Sequence, residues 1–579
     1  MRNMLQAATC GAGLLLLASC ANQATNQPTV PVECAQLASK FTAGGTRITA
    51  AESVPAGLTV SGMAQPYPMP AHCKVSGRMA ERTGVDGKPY AIGFEMRLPA
   101  NWSGRFLFQA NGGNDGVVQP AFGNVVTGGA TTNALMQGFA VLSSDAGHAM
   151  LPPQTPGADG TPVGLVGGNL FGLDPQARLD YGYQATAKLA PMAKQLIATH
   201  YGQPARHAYL MGCSNGGRHG MVAASRYPAE FDGIIAGNPG FNLPKAAVQH
   251  AWDIQAFSSV NPDIKAAFPP ADMKLVADKV LEKCDALDGL ADGLVNNLPA
   301  CQKAFELKAL QCSGEKTAQC LSAPQVSALQ KVFAGPVNSK GERLYSDWPW
   351  DAGVGASQIG FGSWRAWKLQ GPIAGLPIIG VLGAGSVAYI FSSPPKPVAG
   401  NPPALIKSLL DYNFDTDAPK IYASDATFKE SSVQFMTPPY ATSLSAFKAK
   451  GGKMIVYHGN SDPVFSVNDT INWYEGLDKT HGGQAASFTR LFTIPGLNHC
   501  QGGPATEQFD MLSAMVNWVE KGQAPDGVVA TARPGINPDV PTSWQTNGKP
   551  RSRPVCAYPR QATYKGSGDI NDAANFSCR

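Results

Sequence analysis

The stretch Tyr209–Gly220, YLMGCSNGGRHG, decides how the rest of the chain is read. Gly212–Gly216, GCSNG, matches G-x-S-x-G, the sharp strand-to-helix turn that exposes a serine hydroxyl at the top of an α/β-hydrolase sheet. The flanks fit that turn: HAYLM before it reads as a strand and GGRHGMVAASRYP after it as a helix. With 64 glycines in 579 residues, about half a chance match to the pattern is expected. The flanking context, rather than the pattern alone, carries the reading.

Working outward, short apolar runs end at glycine-rich turns in RFLFQANGG, GFAVLSSDAGH, FDGIIAGNPG and KMIVYHGNSD, with helix-patterned segments such as QATAKLAPMAKQLIATHY between them. Alternating strands and helices predict an α/β-hydrolase fold, a mostly parallel sheet flanked by helices. The alternation stops near residue 240 and resumes near 450. The region between is rich in Pro and Gly, with four cysteines from Cys284 to Cys320 and a tryptophan cluster, Trp348, Trp350, Trp364 and Trp367. We therefore expect a core over 34–240 and 441–579, and a large inserted lid over 241–440. Within the insertion, Leu369–Pro395 carries no charge and is long enough to span a bilayer. Pro372, Pro377, its glycines and Pro394-Pro395 would break a spanning helix, which favours a buried or substrate-facing loop.

The N-terminus begins Met1-Arg2, continues apolar and ends in GLLLLASC at Cys20. This predicts a lipoprotein-type signal over 1–20, with cleavage before Cys20 and lipidation of its thiol, followed by a flexible polar tether over 21–33. A soluble signal peptide is the alternative. Either way the chain is exported, as an outer-membrane lipoprotein, a periplasmic or a secreted protein. Of 12 cysteines, ten lie beyond Cys10 and Cys20, and an even number in an oxidising compartment favours disulfides. Only 15% of residues are charged and the net charge is +4, which argues against nucleic-acid binding.

A serine nucleophile needs a base, and in this fold the order is serine, acid, histidine. Five histidines follow Ser214. His219 lies in the helix leaving the turn and His250 precedes the insertion; His499, in the glycine-rich IPGLNHCQGG, is preferred as base, with Asp462 in KMIVYHGNSDPVFS as its acid. If Ser214 and His499 stand within hydrogen-bond reach, their neighbours Cys213 and Cys500 approach the short Cα separation a disulfide needs. A Cys213–Cys500 bridge would then staple nucleophile to base; that each cysteine pairs elsewhere stays open at this point. For the oxyanion, the Asn215 N–H is expected to act with that of Gly113, or next Gly112, in FQANGGNDG. In CDALDGLADG, Asp285, Asp288 and Asp292 place three carboxylates on one short loop. All-oxygen ligation suits Ca²⁺, although the spacing departs from the EF-hand pattern and a solvated Asp-Gly turn is the alternative.

Together GCSNGG, SDPVFS, NHCQGG, the aspartate loop and the cysteine layout resemble the tannase and feruloyl esterase family, and within it the mono(2-hydroxyethyl) terephthalate hydrolases, over nearly all of Cys34–Cys578. The resemblance implies Ser214, His499 and Asp462 as nucleophile, base and acid. It implies bridges Cys213–Cys500, Cys34–Cys73, Cys284–Cys301, Cys312–Cys320 and Cys556–Cys578. It also implies a structural Ca²⁺ in the lid, held by carboxylates of Asp285, Asp288 and Asp292 and by carbonyls of Leu290 and Leu294. Phe465 matches an aromatic position beside the acyl group. Trp364, Trp367 and Phe391 are either a ring platform or lid core. The terephthalate-specific hydrolases use a lid arginine for the substrate carboxylate, and Arg365 is the nearest candidate. The expected function is a monomeric serine carboxylesterase for small aromatic esters, terephthalate monoesters among them. One alternative is hydrolysis of plant ferulate or gallate esters; another is a lipid-anchored binding protein with an inactive site, its only membrane contact being that anchor.

Overall fold

The computed structural model describes residues 31–57, 68–124, 132–157, 159–358 and 360–579. The signal-like segment, Cys20 and the tether up to residue 30 lie outside them. Nine strands are formed by Thr46–Val54 (β1), His72–Thr83 (β2), Pro89–Pro99 (β3), Arg105–Ala110 (β4), Phe139–Ser144 (β5), His207–Cys213 (β6), Gly233–Gly237 (β7), Lys453–Gly459 (β8) and Thr489–Ile494 (β9). They make one sheet in the order β1-β2-β3-β5-β4-β6-β7-β8-β9.

The sheet is parallel from β5 through β9 and antiparallel from β1 through to β5. The antiparallel edge follows from chain length: β2 and β3 are joined by the tight turn in which Gly84 N–H donates to Lys88 O (2.8 Å), and only antiparallel neighbours can be linked so briefly. The central strands are covered on both faces, so FAVLSS of β5 and GIIAG of β7 are buried at every residue. The helix Ala185–Tyr201 packs its Ala, Leu and Ile residues inward and stops at Gly202, whose left-handed φ of 71° ends it.

Between Gly237 and Lys453 the described residues contain no strand of this sheet. The inserted region is mostly helical, with Phe333 and Trp350 stacked at 3.7 Å in its interior. The charge-free stretch forms two π-helical turns, Ile379–Gly383 and Ser386–Phe391, buried within the insertion. Among the described residues no helix is long and apolar enough to cross a membrane. Five disulfides are present, Cys34–Cys73, Cys213–Cys500, Cys284–Cys301, Cys312–Cys320 and Cys556–Cys578, the pairing implied by the resemblance.

Candidate active site

β6 ends at Cys213, and the helix Asn215–Arg226 starts one residue beyond Ser214. Ser214 itself takes φ 64°, ψ −126°, a conformation that side chains rarely adopt. The crowding that enforces the flanking glycines is direct. A Cβ at Gly212 would lie 2.6 Å from the Ala110 carbonyl oxygen, and one at Gly216 only 2.3 Å from it. The turn is therefore wedged against the end of β4, which lifts the Ser214 side chain clear of the sheet.

His499 Nε2 lies 2.8 Å from Ser214 Oγ, and His499 Nδ1 lies 2.8 Å from Asp462 Oδ2 and 3.0 Å from Oδ1. The serine hydroxyl is placed to donate to Nε2 while Nδ1–H donates to the carboxylate. Asp462, fully buried at the end of the loop after β8, also accepts from Val464 N–H (2.7 Å) and Asn238 Nδ2 (2.7 Å), with His458 Nε2 at 3.2 Å. Burial alone would raise its pKa, but the charges and hydrogen bonds of His499 and His458 outweigh burial and hold the carboxyl far below the usual carboxylate range. The Cys213–Cys500 bridge, with a Cα separation of 6.1 Å, joins the serine turn to the histidine loop.

Two positioning groups were not singled out in the sequence. Asn238, just past β7, donates to both Asp462 Oδ2 and the Asn498 carbonyl (3.2 Å), tying the acid loop to the histidine loop. From the insertion, buried Asp351 accepts from Ser461 Oγ (2.6 Å) and Gly496 N–H (2.8 Å), holding the same two loops from above. An asparagine after a core strand has a faint signal, since strand ends in such sheets carry ligand contacts. Asp351 has none: its role exists only once the insertion is packed.

A cavity of about 620 Å³ opens over Ser214 and His499, within the size range of ligand sites. Gly112, Gly113 and Trp367 line it, together with Leu382 from the π-helical stretch and the amides Gln109, Gln119, Asn124 and Gln501. Trp367 meets the His499 ring edge-on at 5.0 Å, and Phe465 meets it at 5.4 Å from another side. Phe465 is buried behind the histidine rather than lining the cavity.

Three other expected contacts are corrected. Arg365 does not reach the cavity: its guanidinium donates to the carbonyls of Phe268 (2.7 Å) and Lys265 (3.0 Å) and to Gln370 Oε1 (3.1 Å). Those lid carbonyls have captured the charge. Trp364 is buried between Phe257 and Phe333, and Phe391 is 1% exposed in the same interior. Both belong to the lid core, and neither lines the cavity.

In the aspartate loop, Asp285 accepts from the N–H groups of Asp292 (3.0 Å) and Gly293 (2.8 Å), while Asp288 accepts from Leu290 N–H (3.0 Å) and Asn296 Nδ2 (2.7 Å). Asp292 Oδ2 is paired with Arg553. Among the described residues no three acidic, histidine or cysteine groups converge as ligands. The donors themselves are carboxylate and carbonyl oxygens, the set a hard cation takes; burial chiefly, and then the charges of Asp292 and Asp285, push the Asp288 pKa up to about 6. The loop packs on the C-terminal segment through Leu294, Ala532, Val540 and Trp544.

The family model described as tannase and feruloyl esterase matches residues 73–579. A mono(2-hydroxyethyl) terephthalate hydrolase from Piscinibacter sakaiensis is 43% identical over 88% of this chain and 85% of its own length. A probable feruloyl esterase B-2 from Neosartorya fischeri is 26% identical over 93% of this chain and 91% of its own. In fold, the crystal structure of feruloyl esterase B from Aspergillus oryzae superposes with a TM-score of 0.72 at 24% identity, covering 94% of this chain and 99% of that one. The match to the family model spans most of the chain, including the serine turn, the insertion and both loops of the candidate site, and on that match the protein belongs to the tannase and feruloyl esterase family.

Proposed function

We propose that the protein is an exported serine carboxylesterase that hydrolyses aromatic carboxylic esters. The observation that carries this reading is the unbroken Asp462–His499–Ser214 chain, each link 2.8 Å, opening into one cavity. As Ser214 Oγ bonds to the ester carbonyl carbon, His499 Nε2 takes its proton, and Asp462 stabilises the imidazolium. The carbonyl oxygen becomes an oxyanion received by the N–H groups of Asn215 and Gly113. Collapse breaks the C–O bond to the alcohol, which leaves with the proton from His499. Water repeats the sequence and releases the aromatic acid. Trp367 offers the ring face for the acyl group. Ser214→Ala is expected to abolish hydrolysis of an activated aryl ester with an unchanged melting temperature; persisting turnover would overturn Ser214 as the nucleophile, and no labelling of wild-type Ser214 by an organophosphonate would favour the inactive binding-protein reading.

Two substrate classes have separate support. Similarity to the P. sakaiensis enzyme favours terephthalate monoesters. The cavity favours neutral phenolic esters: among its described lining residues there is no Lys or Arg, and beside Ser214 and His499 the polar side chains are amides. A substrate carboxylate would be desolvated there without a cation, whereas phenolic hydroxyls find amide partners. We favour the phenolic class, ferulate or gallate esters. Comparing kcat/KM for mono(2-hydroxyethyl) terephthalate, methyl ferulate and methyl gallate decides between them, with a tenfold preference for either class taken as decisive.

Calcium at the lid loop belongs to the same proposal. Asp285, Asp288 and Asp292 would hold it with the carbonyls of Leu290 and Leu294, and it would supply a charge that joins the three carboxylates.

A further inference from the structure

We propose that Asp115 is a positioning residue that sets the spacing between the two halves of the oxyanion-binding site, acting through the side chains of Asn215 and His219. This rests on the serine-esterase reading given above.

Those two halves belong to different elements. Gly113 lies in the loop after β4, and Asn215 begins the helix after β6. An oxyanion donor works at about 2.7–3.1 Å from the developing charge, so the separation between loop and helix must be held to a few tenths of an ångström. The loop runs through left-handed conformations at Gly113 (φ 63°) and Asp115 (φ 53°), and other described bonds tie it to β5 and its following turn and to the insertion rather than to the helix. Asp115 sits two residues beyond Gly113, buried, and its Oδ2 accepts from Asn215 Nδ2 at 2.8 Å and from His219 Nε2 at 2.9 Å. Asn215 and His219 are four residues apart on one helix and share a face. Among the described residues these are the two hydrogen bonds that join the loop to the helix.

The surrounding groups fix the direction of each bond. Arg218 Nε donates to Asn215 Oδ1 (2.6 Å), which turns the Asn215 NH₂ toward Asp115. Arg218 also donates to the carbonyls of Gly182 (2.7 Å) and Tyr181 (2.9 Å), so it is anchored from the far side. Its Nη2 lies 3.3 Å from Nδ1 and 3.2 Å from Nε2 of His219, so the bond to Asp115 decides the tautomer: a carboxylate oxygen accepts, which puts the His219 proton on Nε2. Burial first, and then the Arg218 charge, lower the His219 pKa against the opposing pull of Asp115. A carboxylate so close to a developing oxyanion would repel it; the buried Arg218 guanidinium offsets that charge. The network therefore supplies position without adding net charge.

The test uses Asp115→Asn and, should that variant fold poorly, Asn215→Ala, which keeps the backbone N–H donor and deletes only its anchor. Three quantities are read for each: kcat and KM on an aryl ester, Ki for an aryl trifluoromethyl ketone whose hemiketal oxyanion occupies the same site, and Ki for a simple aromatic acid. The expected result is a kcat loss of about 10- to 100-fold with KM within about twofold. Ki for the ketone should rise by a similar factor, while Ki for the acid holds steady. The double variant should be no worse than the poorer single one, because both break the same link. A structural role alone would lower the melting temperature without moving the two inhibitors apart. Equal shifts for both inhibitors, or kcat within threefold of wild type in a folded variant, overturn the proposal. Loss of activity in the wild-type control would instead overturn the esterase reading.

Discussion

Replacing both cysteines of the Cys213–Cys500 bridge by alanine separates what the bridge does for stability from what it does for chemistry. The two residues are 287 apart in sequence. For a loop that long, the chain-entropy relation gives about 5–6 kcal/mol of stabilisation through the unfolded state. A chain of 579 residues gains about 1.2 kcal/mol/K of entropy on unfolding, so the double variant should melt about 5 °C lower. The bridge also ties the turn bearing Ser214 to the loop bearing His499, whose side chains meet at 2.8 Å. Asn238 and Asp351 hold the His499 loop to the acid loop, but neither reaches the serine turn through a described hydrogen bond. Loosening by about 1 Å is expected to cost roughly 10- to 100-fold in kcat. Calorimetry gives the first quantity, and the rate of organophosphonate labelling together with steady-state kinetics gives the second. A variant that melts within 1 °C of wild type and is labelled at the wild-type rate would refute the clamp.

Other expectations follow from buried charge. His250 is buried with no described hydrogen-bond partner for either ring nitrogen, and burial, then Lys368 and His499, push its pKa down to about 3. An unfolded histidine titrates near 6.5, so the unfolded chain binds the extra proton between these values. This contribution to stability is complete above about pH 6.5 and falls with pH, by about 2 kcal/mol at pH 5. His250→Met should flatten the change in denaturation midpoint between pH 7 and pH 5, and an equal pH slope in both proteins would count against it. Arg365→Ala is expected to destabilise the lid by about 3 kcal/mol through its unpaired carbonyl partners. It should leave the ratio of kcat/KM between terephthalate and ferulate esters unchanged; a selective loss on the terephthalate monoester would return Arg365 to the binding site. Calcium should raise the melting temperature of the wild type but not of Asp292→Ala, as followed by calorimetry with metal analysis, and no calcium response in the wild type would remove the ion from this loop.

Much of this site is legible in the chain because its signals are local. A sharp turn after a buried strand demands glycines where Gly212 and Gly216 stand, since the Ala110 carbonyl leaves no room for a Cβ. The order serine, acid, histidine follows from strand order, which selects Asp462 and His499. The adjacency of Cys213 to Ser214 and of Cys500 to His499 then turns a question about catalysis into one about distance, met by a bridge with Cα atoms 6.1 Å apart.

What depends on side chains from separate elements was not legible. Arg365, Trp364 and Trp367 occupy one short helix, Trp364–Lys368. Only packing decides that the arginine serves lid carbonyls, that Trp364 fills the lid core and that Trp367 reaches His499. Asp115 and His219, 104 residues apart, become partners only when the loop after β4 meets the helix after β6. Spacing along the chain determined the fold and singled out the groups proposed to react, because turns and strand ends are local. The choice of which charges face substrate and which face one another was left to tertiary structure, because a buried charge goes to whichever partner packing brings near.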